Sequence, residues 1–321
     1  MSILLWIVLL LLLLLHGYRE YWCRRDLPQI HKGEFDGALM KVGSTFIARR
    51  PAKNGSTRTL ICFPGFLEDM RYFQDVYKDS DAELILLNNA NYHCPFSMDD
   101  ITELDWPKNP YTLGTIEHDA FYMGNALERL ASGHEICLHG HSRGGAVVLE
   151  TGRQFPELTN SKTRLVRALL EAAVLPQART VGNGSEPLPH KLQCYFIPIY
   201  FGLSRNISAE KLLKLPMMRP TTTLKTDLCL SVFSVSRSYA TCVANVRSIF
   251  AWQRSTQFDV YENYKFLTVV LGERDTTLDL KSMKASALQG QQRNSGLSIL
   301  QTEGTNHFVS LERPELIRAI H

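Results

Sequence analysis

Apolar residues fall along this chain in short blocks whose period keeps changing. Thr59 to Phe63 (TLICF), Glu83 to Leu87 (ELILL), Glu135 to His139 (EICLH), Leu165 to Val174 (LVRALLEAAV), Phe266 to Leu271 (FLTVVL) and Leu297 to Leu300 (LSIL) are nearly continuous apolar runs. Runs of this length predict strands buried on both faces. Ala38 to Arg50 (ALMKVGSTFIARR) has the alternation of one or two half-buried strands, and Asn54-Gly55 marks a turn tip after it. Between the runs the period becomes helical. In Thr115 to Ala131, Ile116, Ala120, Met123, Leu127 and Leu130 recur at three- and four-residue spacing. Asp69 to Tyr77, Gly144 to Phe155 and Phe308 to Ile320 are the other predicted helices. Strands alternating with helices predict an α/β fold with a mostly parallel central sheet flanked by helices.

The alternation stops between Val174 and Phe266. Blocks such as YFIPIYFGL and SIFAWQR stand among prolines at 176, 187, 189, 198, 216 and 220. A stretch that long needs structure of its own. It predicts a mainly helical insertion, residues 176–262, acting as a cap over an apolar cleft. The core is then 26–175 together with 263–321, and residues 1–25 stand apart.

That first segment is the strongest compositional anomaly. Ile3 to Leu15 (ILLWIVLLLLLLL) holds no polar group. Its length falls between a secretory apolar region of about 7–15 residues and a full span of roughly 20. No Lys or Arg precedes it, and HGYREYWCRR offers no small-residue cleavage site. Tyr18, Tyr21 and Trp22 resemble an interfacial aromatic belt, followed by Arg24 and Arg25. An uncleaved, single-pass N-terminal anchor is the favoured reading, with a cleaved signal peptide as the alternative. The membrane face stays open, and the sequons at Asn54, Asn183 and Asn206 do not decide it. Seven cysteines include no CxxC pair, so a structural zinc site is not expected. Cys62 and Cys137 lie in apolar runs, whereas Cys94, Cys194, Cys229 and Cys242 are free to pair in an oxidising compartment. A net charge of +3 with no basic stripe argues against nucleic acid as a partner.

The chemistry centres on Leu138 to Gly145 (LHGHSRGG), where Gly140-His141-Ser142-Arg143-Gly144 is a G-x-S-x-G pattern. A serine at a sharp strand-to-helix turn takes strained backbone angles, and glycines two residues either side remove clashes. The hydroxyl then stands above the sheet at a helix N-terminus, which favours developing negative charge. The pattern arises by chance in a fraction of chains. Here it follows an apolar strand and precedes a helical run, which is the required context. A serine nucleophile needs a base, and the base an orienting acid. LGERD places Asp275 just past a strand, with Glu273 and Asp279 as competitors, and TNHFVSLERPELI places His307 between a strand and the last helix. Both fall at strand C-terminal ends, the ligand-binding edge of open α/β sheets. His139 and His141 are expected to pack or face solvent. Arg143 is open between contacting an acyl group and a structural ion pair, and Trp106 and Trp252 are expected in core or cap.

Over roughly residues 38–320 the chain resembles the α/β-hydrolase superfamily. CFPGF, GHSRGG, LGERD and TNHFVSLERPELI occur in the family's order and spacing. The resemblance implies Ser142 as nucleophile, His307 as general base and then acid, and Asp275 as the orienting carboxylate. It implies an oxyanion hole from the backbone N–H groups of Phe66 and Arg143. Phe63-Pro64-Gly65-Phe66 replaces the His-Gly of many relatives, which leaves the second donor open between Phe66 and Leu67. No cofactor or metal is expected. The resemblance implies a serine esterase or lipase acting through an acyl-enzyme, and the apolar content of the cap together with the N-terminal anchor points to a lipid or other acyl ester as its substrate. A thioesterase or acyltransferase using the same residues is the alternative, with a non-catalytic binding member of the fold behind it.

Overall fold

The computed structural model describes residues 3–29, 33–97, 100–181 and 187–320. In chain order its elements are α1 Ile3–Arg24, β1 Ala38–Val42, β2 Thr45–Arg50, β3 Arg58–Phe63, α2 Arg71–Val76, β4 Glu83–Leu87, β5 Ile101–Glu103, α3 Ile116–Arg129, β6 Glu135–His141, α4 Arg143–Gln154, α5 Pro156–Thr159 and β7 Leu165–Glu171. There follow α6 Pro187–Ser204, α7 Ala209–Leu212, α8 Thr223–Ser231, α9 Tyr239–Ser255, β8 Phe266–Gly272, α10 Leu280–Arg293, β9 Leu297–Thr302, α11 Val309–Glu312 and α12 Pro314–Arg318. Short 3₁₀ turns occupy Pro216–Met218 and Phe258–Asn263.

The nine strands among the described residues join one sheet in the order β5-β1-β2-β4-β3-β6-β7-β8-β9. Pairing is antiparallel at β1–β2 and β2–β4 and parallel everywhere else. The continuous apolar runs are explained by burial on both faces. In β3, Ile61 and Phe63 join the core that includes α3, α4 and α9, while Leu60 and Cys62 join the opposite core with α2, α11 and α12. Parallel β3, β6, β7, β8 and β9 bring their C-terminal ends to one edge, and every candidate catalytic residue lies just beyond that edge.

Two boundaries and one element differ from the sequence expectation. The run expected to be a strand to Val174 ends at Glu171, because Ala172 turns to φ 40°. The last helix is broken in two. Arg313 precedes Pro314 and is driven out of the helical region, to φ −141° and ψ 64°. Helix α10, not expected from the sequence, buries only Met283, Ser286, Ala287 and Gly290, a set with little apolar signal. All seven cysteines are free thiols, so Cys94, Cys194, Cys229 and Cys242 form no disulfide. Asn54 and Asn206 are exposed. Asn183 lies outside the described residues.

Helix α1 is two-part. Residues 3–14 are exposed on every side, while its last turns dock on α6 and α9. His16 stacks on Tyr195, Arg19 donates to the Tyr195 carbonyl (3.2 Å), and Trp22 packs against Gly202 and Tyr239. Trp22 is therefore a buried residue and not part of an interfacial belt, whereas Tyr21 is exposed.

Candidate active site

Ser142 forms the link between β6 and α4. Its backbone adopts φ 50° and ψ −116°, a left-handed conformation that costs a side-chain-bearing residue about 1–3 kcal/mol. Hydrogen bonds on both sides hold it there. The Ser142 N–H donates to the Glu171 carbonyl (2.9 Å), and its own carbonyl accepts from Val174 (2.8 Å) and Gly145 (3.1 Å). The turn is so tight that the flanking positions admit no side chain. A Cβ on Gly140 would lie 2.2 Å from the Gly144 carbonyl oxygen, and one on Gly144 would lie 2.0 Å from that of Phe63. The G-x-S-x-G spacing is thus a packing requirement.

Asp275 follows β8 and His307 follows β9, adjacent parallel strands whose ends share the Ser142 edge. Asp275 Oδ2 accepts from His307 Nδ1 at 2.9 Å, and its Oδ1 accepts the N–H groups of Thr277 and Leu278, both at 2.8 Å. Burial pushes this carboxyl up, but the His307 imidazole and the two backbone donors outweigh it and hold its pKa low. The competitors face elsewhere. Glu273 accepts the Gly304 N–H at the surface, and Asp279 caps α10 through the Ser282 N–H. Among the described residues no hydrogen bond joins Ser142 Oγ to His307. Nucleophile–base bonds often tighten only with substrate in place. The two are nonetheless tied together, since the side chain of His141, the residue before Ser142, bonds through Nε2 to the His307 carbonyl (2.9 Å).

On the other side of Ser142 lies the turn after β3. Leu67 takes φ 61° and gives its N–H to Tyr92 Oη (3.3 Å), and Gly65 gives its own to Glu68 (2.8 Å). The Phe66 N–H has no acceptor among the described residues. Arg143 opens α4, where an N–H has no intrahelical partner. The guanidinium is wholly buried against Asp119 (2.7 Å), Asn89 Oδ1 (2.7 Å) and the Gly114 carbonyl (3.2 Å), so the ion-pair alternative holds. Trp252 donates to Glu150 in the core (3.1 Å), and Trp106 is partly buried against the same core.

Beneath these groups runs a polar network that pattern reading missed. His139 Nε2 pairs with Glu171 (3.0 Å), which also accepts from Tyr72 Oη (2.7 Å) and the Ser310 N–H. Burial alone would raise the Glu171 pKa, yet His139, His141 and Ser310 pull it down to about 2. His141 pairs with Glu68. Both histidines are fully buried, so packing wins over solvent exposure for each. Asn306 fixes the His307 loop to the insertion. Its Oδ1 accepts from Thr276 (3.0 Å) and His307 (2.8 Å), and its Nδ2 donates to the carbonyls of Pro216 (3.0 Å) and Arg219 (3.2 Å). A buried Lys225–Glu312 pair (2.6 Å) joins α8 to α11, and Glu312 also accepts the Asn306 N–H, which makes a second tie from the insertion to this loop. A weak sequence signal exists for two of these residues, because Glu68 and Glu171 directly follow apolar segments that cannot leave a carboxylate unpaired.

No family model and no curated protein matches the chain. Solved structures do match. MenH from S. aureus superposes with a TM-score of 0.60 at 14% identity, over 85% of this chain and 95% of its own. Est816, described as an N-acyl homoserine lactone degrading enzyme, gives 0.59 at 16%, over 88% and 100%. A thermophilic esterase from Thermogutta terrifontis gives 0.58 at 14%, over 92% and 96%. Identity this low speaks for architecture. With the sheet order and the elbow already described, it shows that the chain has the α/β-hydrolase fold.

Proposed function

We propose that the protein is a serine hydrolase that cleaves carboxylic esters through an acyl-enzyme. The observation that carries this reading is the strained Ser142 turn on the same sheet edge as a directly bonded Asp275–His307 pair. Ser142 Oγ attacks the acyl carbonyl and passes its proton to His307 Nε2. Asp275 holds the imidazole by Nδ1 and stabilises the cation that forms. The carbonyl oxygen, now negative, receives the N–H groups of Phe66 and Arg143. Collapse expels the alcohol with the proton from His307. Water, deprotonated by His307, then releases the acid and restores Ser142. Structural neighbours named as esterases and as a lactone-degrading enzyme support an acyl C–O bond as the target.

In this reading residues 176–262 form a cap. Phe201 of α6 stacks over the Phe66 ring at 6.4 Å between centroids, which brings apolar surface of the insertion onto the turn that carries Phe66. Asp275→Asn is expected to fold normally and to lose about 10³–10⁴-fold in kcat, because the imidazole loses its orienting acceptor. Turnover of p-nitrophenyl butyrate together with a thermal melt measures both. A loss under about tenfold would assign the orienting role elsewhere.

We further propose that α1 anchors the protein in a membrane and that the substrate is a lipid or similar acyl ester. Its first twelve described residues bury nothing in the protein. Beside it, Leu192, Phe196, Tyr200 and Leu203 make an exposed stripe along α6 at helical spacing. The full chain is expected to float with phospholipid vesicles and to stay bound in high salt. Recovery in the soluble fraction contradicts the anchor and leaves the ester chemistry standing.

A further inference from the structure

We propose that Glu68 and His141 are positioning residues, a buried carboxylate–imidazolium clamp that locks the Phe66 turn, the Ser142 elbow and the His307 loop into one unit. The catalytic part of the proposal rests on the serine-hydrolase reading above.

The geometry is specific. His141 Nδ1 lies 2.7 Å from Glu68 Oε2, and Nε2 lies 2.9 Å from the His307 carbonyl. The same Glu68 oxygen accepts the Gly65 N–H at 2.8 Å. Asn89 binds the Gly65 carbonyl (2.9 Å), and the Arg143 guanidinium binds Asn89 in turn. One imidazole therefore spans the three loops that carry the acyl-transfer groups. Its ring is sandwiched, stacking on Tyr72 at 4.3 Å and on Phe308 at 5.6 Å, and it is wholly excluded from solvent.

A carbonyl oxygen and a carboxylate oxygen can only accept, and this carboxylate oxygen takes the Gly65 N–H as well. Both contacts of His141 then need an N–H, and only the doubly protonated ring has two. Of the ionisable groups around it, the two carboxylates favour the cation. Glu68 faces it from the turn, Glu171 from β7, Tyr72 from α2, His139 from β6 and His307 from its loop. Burial alone would lower the pKa of this ring, but Glu68, then Glu171 and the His307 carbonyl, raise it to about 9. Ligand atoms of Glu68, His141 and His307 also lie within 4.8 Å of one another, the spacing of a cation site. Both His141 nitrogens are already engaged by protein acceptors, so the cluster is a hydrogen-bonded clamp.

The pH dependence has a definite sign. A histidine whose folded pKa is raised stabilises the fold fully below its ordinary pKa of about 6.5 and loses that contribution as pH rises through about 9. Neutral His141 keeps one N–H and must release either Glu68 or the His307 carbonyl.

The test uses the full-length protein, Glu68→Gln and His141→Asn, with p-nitrophenyl butyrate kinetics and hydrogen–deuterium exchange. Glu68→Gln keeps the size of the side chain and removes the charge. Its kcat is expected to fall roughly 10–100-fold with KM changed less than about threefold, by analogy with other supporting partners of reactive groups. The double variant is expected to be little worse than either single one, because the residues act as a unit. Exchange is expected to quicken in both 64–68 and 304–308. In the wild type, kcat is expected to decline as pH passes about 9, and in Glu68→Gln the decline moves to lower pH.

Unchanged kcat and unchanged exchange in folded Glu68→Gln would overturn the proposal. If that variant fails to fold, a wild-type kcat and loop protection factors that stay flat well past about pH 9 would do so. Coupled exchange in a protein that turns over no ester keeps the clamp and removes the hydrolase reading. Normal turnover with uncoupled loops does the reverse.

Discussion

Ser142→Ala is expected to abolish ester turnover, lowering kcat by roughly 10³–10⁶-fold, while leaving the fold intact or slightly more stable. The size of the loss follows from the loss of covalent catalysis, and the residual rate is what an oxyanion site and binding alone provide. The stability expectation follows from the local structure. Ser142 makes no side-chain hydrogen bond among the described residues, and its neighbours hold the backbone through main-chain contacts that alanine retains. Alanine also accepts φ 50° no worse than serine does. A kinetic comparison at equal concentration, with circular dichroism as the control for folding, separates loss of a nucleophile from loss of structure. A variant retaining more than about a tenth of the wild-type rate would mean that another group attacks the ester.

Gly144→Ala is the opposite case, one methyl group that is expected to damage the whole molecule. The added Cβ would meet the Phe63 carbonyl oxygen at 2.0 Å and the Pro64 carbonyl oxygen at 3.0 Å, both main-chain atoms at the end of β3. Neither can rotate away. Relief requires β3 and β6 to separate or α4 to tilt, in the centre of a nine-stranded sheet where β3 and β6 pair through Phe63 and Gly140. A cost of about 3–5 kcal/mol is expected, at the upper end of single substitutions, with a fall in melting temperature of roughly 10 °C. Activity should fall with it, because the Phe66 turn begins at the atoms that must move. Thermal melts of the two variants side by side give the contrast: Ser142→Ala near wild type, Gly144→Ala far below. Equal melting temperatures for Gly144→Ala and wild type would mean that the elbow is looser than these contacts imply.

Much of this architecture is legible in the amino-acid sequence. Strands buried on both faces announce themselves as continuous apolar runs, so β3, β4, β6, β8 and β9 can be recognised. The elbow is legible because its constraint is local: Gly140, Ser142 and Gly144 are held apart by the geometry of a single turn. Asp275 and His307 are legible only through their resemblance and their order along the chain. What stays hidden is long-range and polar. Glu68 and His141 lie 73 residues apart, and Glu171 meets Ser310 across 139. No period or local pattern couples such pairs, since each is chosen by where the sheet brings two loop ends together. Trp22 misleads for the same reason. Beside an apolar run and two arginines it looks interfacial, but Gly202 of α6 leaves a space that its indole fills. The division of the last helix at Arg313 is available in principle, because the residue before a proline avoids helical angles, but the apolar period across it is unbroken.

The central claim is that Ser142 is the nucleophile of a hydrolase. Its most direct test is peptide mass spectrometry of the full-length protein after reaction with a fluorophosphonate. One covalent adduct is expected, located on Ser142 and absent from the Ser142→Ala protein. An adduct on a different residue, or labelling undiminished in Ser142→Ala, would contradict it.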